Sequence, residues 1–154
     1  LNNSGKSRGF ACIGLLTPKI AANVGGVLRA AGCYGAKIVF YTGNRYDSGK
    51  MLITDPQKIH RHLPLINVDN LKQVVPFNCV PVAVDLIPNA IPLPQYKHPE
   101  RAFYIFGPED GTLGQQTLEW CRDVIYVPTN GCMNLAATVN VVLYDRMNKG
   151  RCET

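Results

Sequence analysis

Residues 101–114 read RAFYIFGPEDGTLG, an apolar strand that stops at Gly107 and gives way to a loop rich in glycine. A glycine-rich loop at the carboxyl end of a strand is where open α/β sheets bind their ligands. Pro108 and the glycines favour turns that leave backbone N–H and C=O groups free for such a ligand. Glu109 reads either as part of a site or as a turn or helix-capping acid.

Outward from this stretch, strand and helix signals alternate, which predicts an α/β domain with a mainly parallel sheet flanked by helices. FACIGLL (Phe10 to Leu16) reads as a buried strand, and AANVGGVLRAAGCYG as a helix running to about Gly32, with Gly35 in the turn after it. AKIVFYTG is a second strand ended by Gly43. LPLINVDN suggests another strand leading into a helix at Leu71 to Val75, and NCVPVAVDLI a further strand. PNAIPLPQYKHPE, rich in proline, reads as a loop. After residue 114, GQQTLEWC predicts a short helix, DVIYVP a last strand and MNLAATVNVVLYDRMNK a final helix. On that helix Leu135, Val139, Val142, Leu143 and Met147 recur at three- and four-residue spacing, an apolar stripe for core packing or for a second subunit. No repeat or domain boundary is visible, so residues 1–154 are expected to form one domain.

Composition narrows the class. The 154 residues are 46% apolar and 18% charged, which separates the chain from disordered and fibrous sequences. No run approaches the roughly 18 apolar residues of a membrane span. The opening LNNSGKSRGF lacks a signal-peptide pattern, so a cytoplasmic location and no membrane partner are expected. A net charge of +5 is compatible with an anionic partner without establishing one. The six cysteines form no C-x-x-C pair, and all except Cys132 read as reduced core residues. His60, His62 and His98 form no metal-ligand pattern; Arg61 between the first two suggests a solvated basic surface. The G-x-G-x-x-G, Walker, G-x-S-x-G and H-E-x-x-H motifs are all absent.

Two more segments stand out beside residues 107–114. In Asn23-Val-Gly25-Gly26-Val-Leu-Arg29-Ala-Ala31 both glycines share the helical face of Arg29. Each costs roughly 1 kcal/mol of helix stability relative to alanine. That cost fits close approach of another backbone or of a ligand beside the arginine, and equally a tightly packed helix with one surface arginine. Val127-Pro128-Thr129-Asn130-Gly131-Cys132-Met133-Asn134 joins the last strand to the last helix, with Asn130 or Gly131 suited to unusual backbone angles and polar side chains suited to capping.

In this order and spacing the three segments resemble the SPOUT superfamily, specifically its SpoU/TrmH branch of RNA ribose 2′-O-methyltransferases. The family's Asn-x-Gly-x-x-x-Arg-x-Ala is matched at Asn23, Gly25, Arg29 and Ala31. Its Phe-Gly-x-Glu-x-x-Gly-Leu is matched at Phe106, Gly107 and Glu109, with the second glycine one position early. Its Ile-Pro-Met followed by Ser-Leu/Met-Asn is matched at Pro128, Met133 and Asn134. Thr129 replaces the methionine and Cys132 the serine. A thiol of similar size hydrogen-bonds poorly, so serine-dependent positioning would be lost while a backbone contact would survive. The resemblance covers about Phe10 to Asn148.

The resemblance implies a C-terminal deep trefoil knot, S-adenosylmethionine as cofactor, RNA as substrate (tRNA, with rRNA as the alternative), a homodimer completing the arginine site, and no metal. It implies a minimal catalytic domain without an appended RNA-binding module. The knot loops would follow Val84-Asp85-Leu86, lie at Gly107 and run from Val127 through Cys132 and Met133 to Asn134, their backbones holding the adenosine. Arg29 would orient the target phosphate and stabilise negative charge developing on the ribose hydroxyl, because a guanidinium is a poor base. Asn23, Glu109 and Asn134 would orient Arg29 and the ribose. Arg8, Lys19, Arg45, Lys58 and Arg61 are candidates for RNA phosphates and Tyr46 for stacking on a base, although solvated surface charge explains each basic residue as well. The alternative function is a knotted RNA-binding protein that keeps the cofactor but has weak or lost catalysis, suggested by Cys132; an unrelated α/β nucleotide-binding enzyme is a third reading.

Overall fold

The computed structural model describes residues 9–51 and 58–152. Seven strands build one sheet: β1 (Phe10–Leu15), β2 (Val39–Tyr41), β3 (Leu65–Asn67), β4 (Val80–Val84), β5 (Ile91–Pro92), β6 (Arg101–Phe106) and β7 (Asp123–Tyr126). Their order is β3-β2-β1-β6-β4-β7-β5, and every neighbouring pair is parallel. The helices are α1 (Ala21–Tyr34), α2 (Ser48–Met51), α3 (Gln115–Leu118) and α4 (Leu135–Cys152).

The central strand β6 shows why the sheet needs cover on both sides. Ala102, Tyr104 and Phe106 face one core, shared with Val24, Val27 and Leu28 of α1 and Val139, Val142 and Leu143 of α4. Phe103 and Ile105 face the other, with Cys12, Phe40, Leu71 and Leu113. These five of the six β6 side chains are buried, and each large apolar one so removed from water contributes about 1.5–3 kcal/mol. Gly14 on β1 is small for the same packing reason: a Cβ there would lie 2.8 Å from the Phe103 ring.

Several expectations about elements need correction. Helix α1 continues past Gly32 to Tyr34 and ends at Gly35, whose φ of 76° supplies the left-handed cap. Leu71–Val74 is a 3-10 turn rather than a helix, capped by Asn70, which accepts the Lys72 N–H. Within the proline-rich segment read as a loop, Ile91 and Pro92 form β5, paired with Ile125 and Tyr126 of β7. Among the cysteines expected in the core, Cys12 and Cys79 are buried and Cys121 is half-buried, but Cys33 is exposed on α1. The Cys152 side chain lies outside the described residues.

The apolar stripe of α4 buries Leu135, Val139, Val142 and Leu143. Gly26 lets α4 approach α1, since a Cβ there would lie 2.7 Å from the Cβ of Ala136. At its other end α4 is fastened by a polar network. His98 Nε2 meets Asp145 at 2.7 Å and Nδ1 meets the Tyr104 hydroxyl at 2.6 Å. Lys149 pairs with Asp145 and donates to the carbonyls of Leu93 and Tyr96, while Arg146 donates to the carbonyls of Pro99 and Glu100 and to the Tyr104 hydroxyl. Among the described residues no helix is long and apolar enough to cross a membrane.

Candidate active site

The order of the strands locates a crevice before any side chain is considered. β1 and β6 are neighbours, yet the chain leaves β1 towards β2 on one side and leaves β6 towards β7 on the other. Such a reversal parts the two following loops at the carboxyl edge of the sheet, the usual ligand position in open α/β folds. Here the parted loops are 16–20 and 107–114.

Glu109 bridges them. Its carboxylate accepts the backbone N–H groups of Lys19 (2.8 Å) and Ile20 (3.2 Å) and the side-chain amide of Asn23 (3.3 Å). Helix α1 has no side-chain cap of its own at Ile20, so Glu109 caps it from a distant loop and complements the positive end of the helix. Gly107 lets the loop fold back on itself, since a Cβ there would lie 3.2 Å from the Leu113 nitrogen. Beside this, Arg45 donates two 2.9 Å hydrogen bonds to Asp110 and reaches the Thr17 carbonyl at 2.7 Å. The hydrogen bonds from Arg45 hold the exposed Asp110 carboxyl down at about 2.

On the far side of β6, the carboxyl ends of β4 and β7 bring two more loops alongside. Leu86 after β4 and Tyr126, Val127, Pro128, Thr129 and Asn130 after β7 line a cleft of about 440 Å³. That volume lies within the usual range for small-molecule sites. Next to Leu86, one carboxylate oxygen of Asp85 is buried with no hydrogen-bond partner among the described residues. A buried unpaired acceptor is costly and asks for a donor. These features fit a group with hydroxyl or amine donors, such as the adenosine of the cofactor that the sequence motifs imply.

The sequence-derived residues separate into groups. Asn23 and Glu109 are bonded to each other, with Asn23 buried. Asn134 caps α4 by accepting the Ala137 N–H at 2.8 Å. Arg29 is exposed, six residues and so about 9 Å along the axis of α1 from Asn23; within the single chain no hydrogen bond joins it to Asn23, Glu109 or Asn134. Val84, Asp85, Gly107 and Val127 stand at or just beyond the ends of the adjacent strands β4, β6 and β7. Leu86 is 78% exposed at the cleft; Cys132 is exposed and Met133 half-buried in the loop before α4.

Of the basic candidates, Lys19, Lys58 and Arg61 are exposed, and Arg8 lies outside the described residues. Arg45 is engaged by Asp110 and Thr17 instead of standing free for phosphate. Tyr46 does not serve as a stacking surface: it is 9% exposed, packed edge-on against Tyr41, and burial pushes its hydroxyl pKa up. Two site features were missing from the sequence reading, the Arg45–Asp110 clamp and the orphan acceptor of Asp85. Neither has a local sequence signal, because both depend on residues brought together by the sheet.

Residues 11–144 match the model of the SpoU rRNA Methylase family. The chain belongs to that family. No curated protein matches it in sequence. Among solved structures it is similar to the SpoU methyltransferase AviRb from Streptomyces viridochromogenes in complex with AdoMet, with TM-score 0.80 and 18% identity over 95% of this chain and 62% of that one. The chain therefore spans about three fifths of the length of AviRb. It is also similar to a protein solved in work on the 2-OH methylation of C/U34 on tRNA (TM-score 0.81, 21% identity, 94% of this chain and 99% of that one). A third similar structure is the A. aeolicus TrmH/SpoU tRNA modifying enzyme (TM-score 0.79, 15% identity, 96% and 80%). At these identities the structural likeness establishes the SpoU fold.

Proposed function

We propose that this SpoU-family chain is an RNA methyltransferase that uses S-adenosylmethionine to methylate a ribose 2′-hydroxyl, with tRNA as the favoured substrate. One observation carries the reading: Glu109 ties the start of α1 to the loop after β6, on the same sheet edge as the cleft beside the orphan Asp85 acceptor. A nucleoside held between the ends of β4, β6 and β7 would therefore lie next to the residues of the first motif. The tRNA assignment draws on the similar structures concerned with tRNA; the family description names rRNA, which is the alternative substrate.

When bound, S-adenosylmethionine supplies an electrophilic methyl group for an in-line displacement. The chain's own contribution is alignment and charge. The backbones at Gly107 and at 127–133 would fix the adenosine, and Asp85 would accept from one of its donors. Glu109 and Asn23 keep the two loops in register. Arg29, permanently cationic, would hold the target phosphate and stabilise charge gathering on the attacking oxygen.

Arg29 would complete its site on a second copy of the chain. Val141 (37% exposed) and Tyr144 (52% exposed), the latter edge-on to Tyr34 of α1, offer an apolar face for that homodimer. A trefoil knot in the C-terminal third and a cytoplasmic location belong to the same reading.

The deciding experiment is incubation with methyl-labelled S-adenosylmethionine and RNA from cells lacking this gene, followed by nucleoside analysis. Label on a ribose 2′-oxygen, lost in Arg29→Ala while cofactor binding persists, is the expected result. Label on a base, or no binding of S-adenosylmethionine by the folded protein, would sink the reading.

A further inference from the structure

A second and larger cleft, about 530 Å³, lies on the other side of the loop after β1. Its floor is formed where β1 and β2 end, at Leu16, Thr17, Thr42 and Gly43. One wall is the turn from Asp69 to Lys72, and the other carries Gln116, Glu119 and Trp120. It is distinct from the adenosine cleft, with which it shares no residue.

The floor is held in a costly conformation. Thr17 has a φ of 43°, a left-handed backbone that a β-branched residue rarely adopts. Two polar contacts impose it: the Thr42 hydroxyl accepts the Thr17 N–H at 2.9 Å, and Arg45, itself clamped by Asp110, takes the Thr17 carbonyl. Strain of this kind persists where surrounding contacts over-determine it, often at binding sites. Here it holds Thr17 against the end of β2, where a Cβ on Gly43 would lie 3.3 Å from the Thr17 methyl group.

The chemistry of the walls selects a ligand class. Half-buried Trp120 offers an aromatic surface, and the NH2 of Asn70, whose oxygen accepts the Lys72 N–H, and the amide of Gln116 can pair with a polar edge. Asp69 and Glu119 outnumber Lys72, which disfavours a phosphate inside the cleft. A flat ring with hydrogen-bonding edges fits; an anion does not. The position adds a constraint: Thr17 is two residues from Lys19, whose N–H is bound by Glu109, so at most about 7 Å of backbone separates the cleft from the Glu109 bridge between the first and second motifs. That is the scale of neighbouring nucleotides in an extended strand.

We propose that this cleft takes one unpaired nucleobase of the substrate RNA, flanking the methylated nucleotide, with Trp120 as its stacking surface. The inference rests on the RNA methyltransferase reading above. It gives the protein a way to read the identity of a neighbouring base, with the phosphates left outside.

Trp120 is the only tryptophan in the chain, so its fluorescence reports on this cleft directly. The protein is first saturated with S-adenosylhomocysteine, which closes the adenosine site to RNA bases. A single-stranded RNA heptamer of mixed sequence is then titrated in, with Trp120 emission and the anisotropy of a labelled heptamer followed in parallel. Saturable quenching that tracks binding is expected. Trp120→Leu should weaken the heptamer at least about fivefold with S-adenosylhomocysteine affinity unchanged. Gln116→Ala, at an exposed position that leaves folding undisturbed, should weaken it in the same direction. RNA that binds without changing Trp120 emission, or binds Gln116→Ala as well as the parent, overturns the cleft while leaving the enzyme reading intact. Failure of S-adenosylhomocysteine itself to bind overturns both.

Discussion

Glu109 accepts the side-chain amide of Asn23 at 3.3 Å, across 86 residues of sequence, while also capping the backbone at Lys19 and Ile20. One carboxylate thus holds the first motif against the second. Its removal acts on two levels. Glu109→Ala deletes a helix cap, costing about 1 kcal/mol, or about 2–4 °C in melting temperature for a domain of this size. The effect on methyl transfer should be much larger, at least tenfold, because the loop after β6 loses its register with α1. Calorimetry beside a transfer assay checks both; a drop in activity no larger than the stability loss implies would show that Glu109 is only a cap.

His98 sets a pH limit on the fold. Burial lowers its pKa below the ordinary 6.5, against the opposing pull of Asp145. The geometry fits a neutral ring: Nε2–H donates to Asp145, Nδ1 accepts the Tyr104 hydroxyl proton, and Arg146 donates to the Tyr104 oxygen. Lys149 and Arg146 of α4 add positive charge against protonation. The unfolded chain therefore takes up a proton at His98 more readily than the folded one. This contribution to stability is present above the ordinary histidine pKa and is lost as pH falls from about 6.5 towards the lowered value. Melting temperature should decline over that interval, and His98→Gln should flatten the decline even if it lowers the plateau.

The contrast between α1 and the sites around it shows what was legible in sequence. The strand ending at Phe106 and the helix carrying Arg29 were readable because their signals are local: an apolar run, a helical period, a glycine stop. The short strand Ile91–Pro92 was not, since two residues beside prolines have no period and are defined only by Ile125 and Tyr126 of β7. Asn23, Glu109 and Asn134 stood out by motif, and the cap that Asn134 gives Ala137 is local, but the bonds of Glu109 to Asn23, Lys19 and Ile20 depend on strand order. Tyr46 and Arg45 misled for the same reason. Flanked by polar residues, they look solvated, and only the fold brings Tyr41 and Asp110 to them.

Gly26 trades helix propensity for proximity. Alanine there would favour the isolated helix by about 1 kcal/mol, yet its Cβ would stand 2.7 Å from the Cβ of Ala136, a rigid group with no rotamer to yield. Overpacking of this kind costs about 1–3 kcal/mol, so Gly26→Ala should be net destabilising. Ala136→Gly in the same molecule should recover most of the loss. Denaturant melts of the two single variants and the double variant measure the coupling; additive effects would mean that α1 and α4 separate without penalty.

Asp85 should behave in the opposite sense to an ordinary core polar group. Its buried oxygen has no partner among the described residues, so the ligand-free protein bears a desolvation cost without the return of a hydrogen bond. Asp85→Ala should therefore leave the melting temperature of the ligand-free protein unchanged or raise it. Under the proposed function the same change weakens S-adenosylhomocysteine, by about tenfold for one lost hydrogen bond to a charged acceptor. Titration calorimetry with adenosine, 2′-deoxyadenosine and inosine then identifies the donor: the analogue whose affinity is insensitive to Asp85→Ala lacks the group that Asp85 accepts from. Equal loss for all three assigns the 3′-hydroxyl, which all three carry; affinity unchanged for all three would place the carboxylate outside the adenosine contact and make it a loop-folding residue instead.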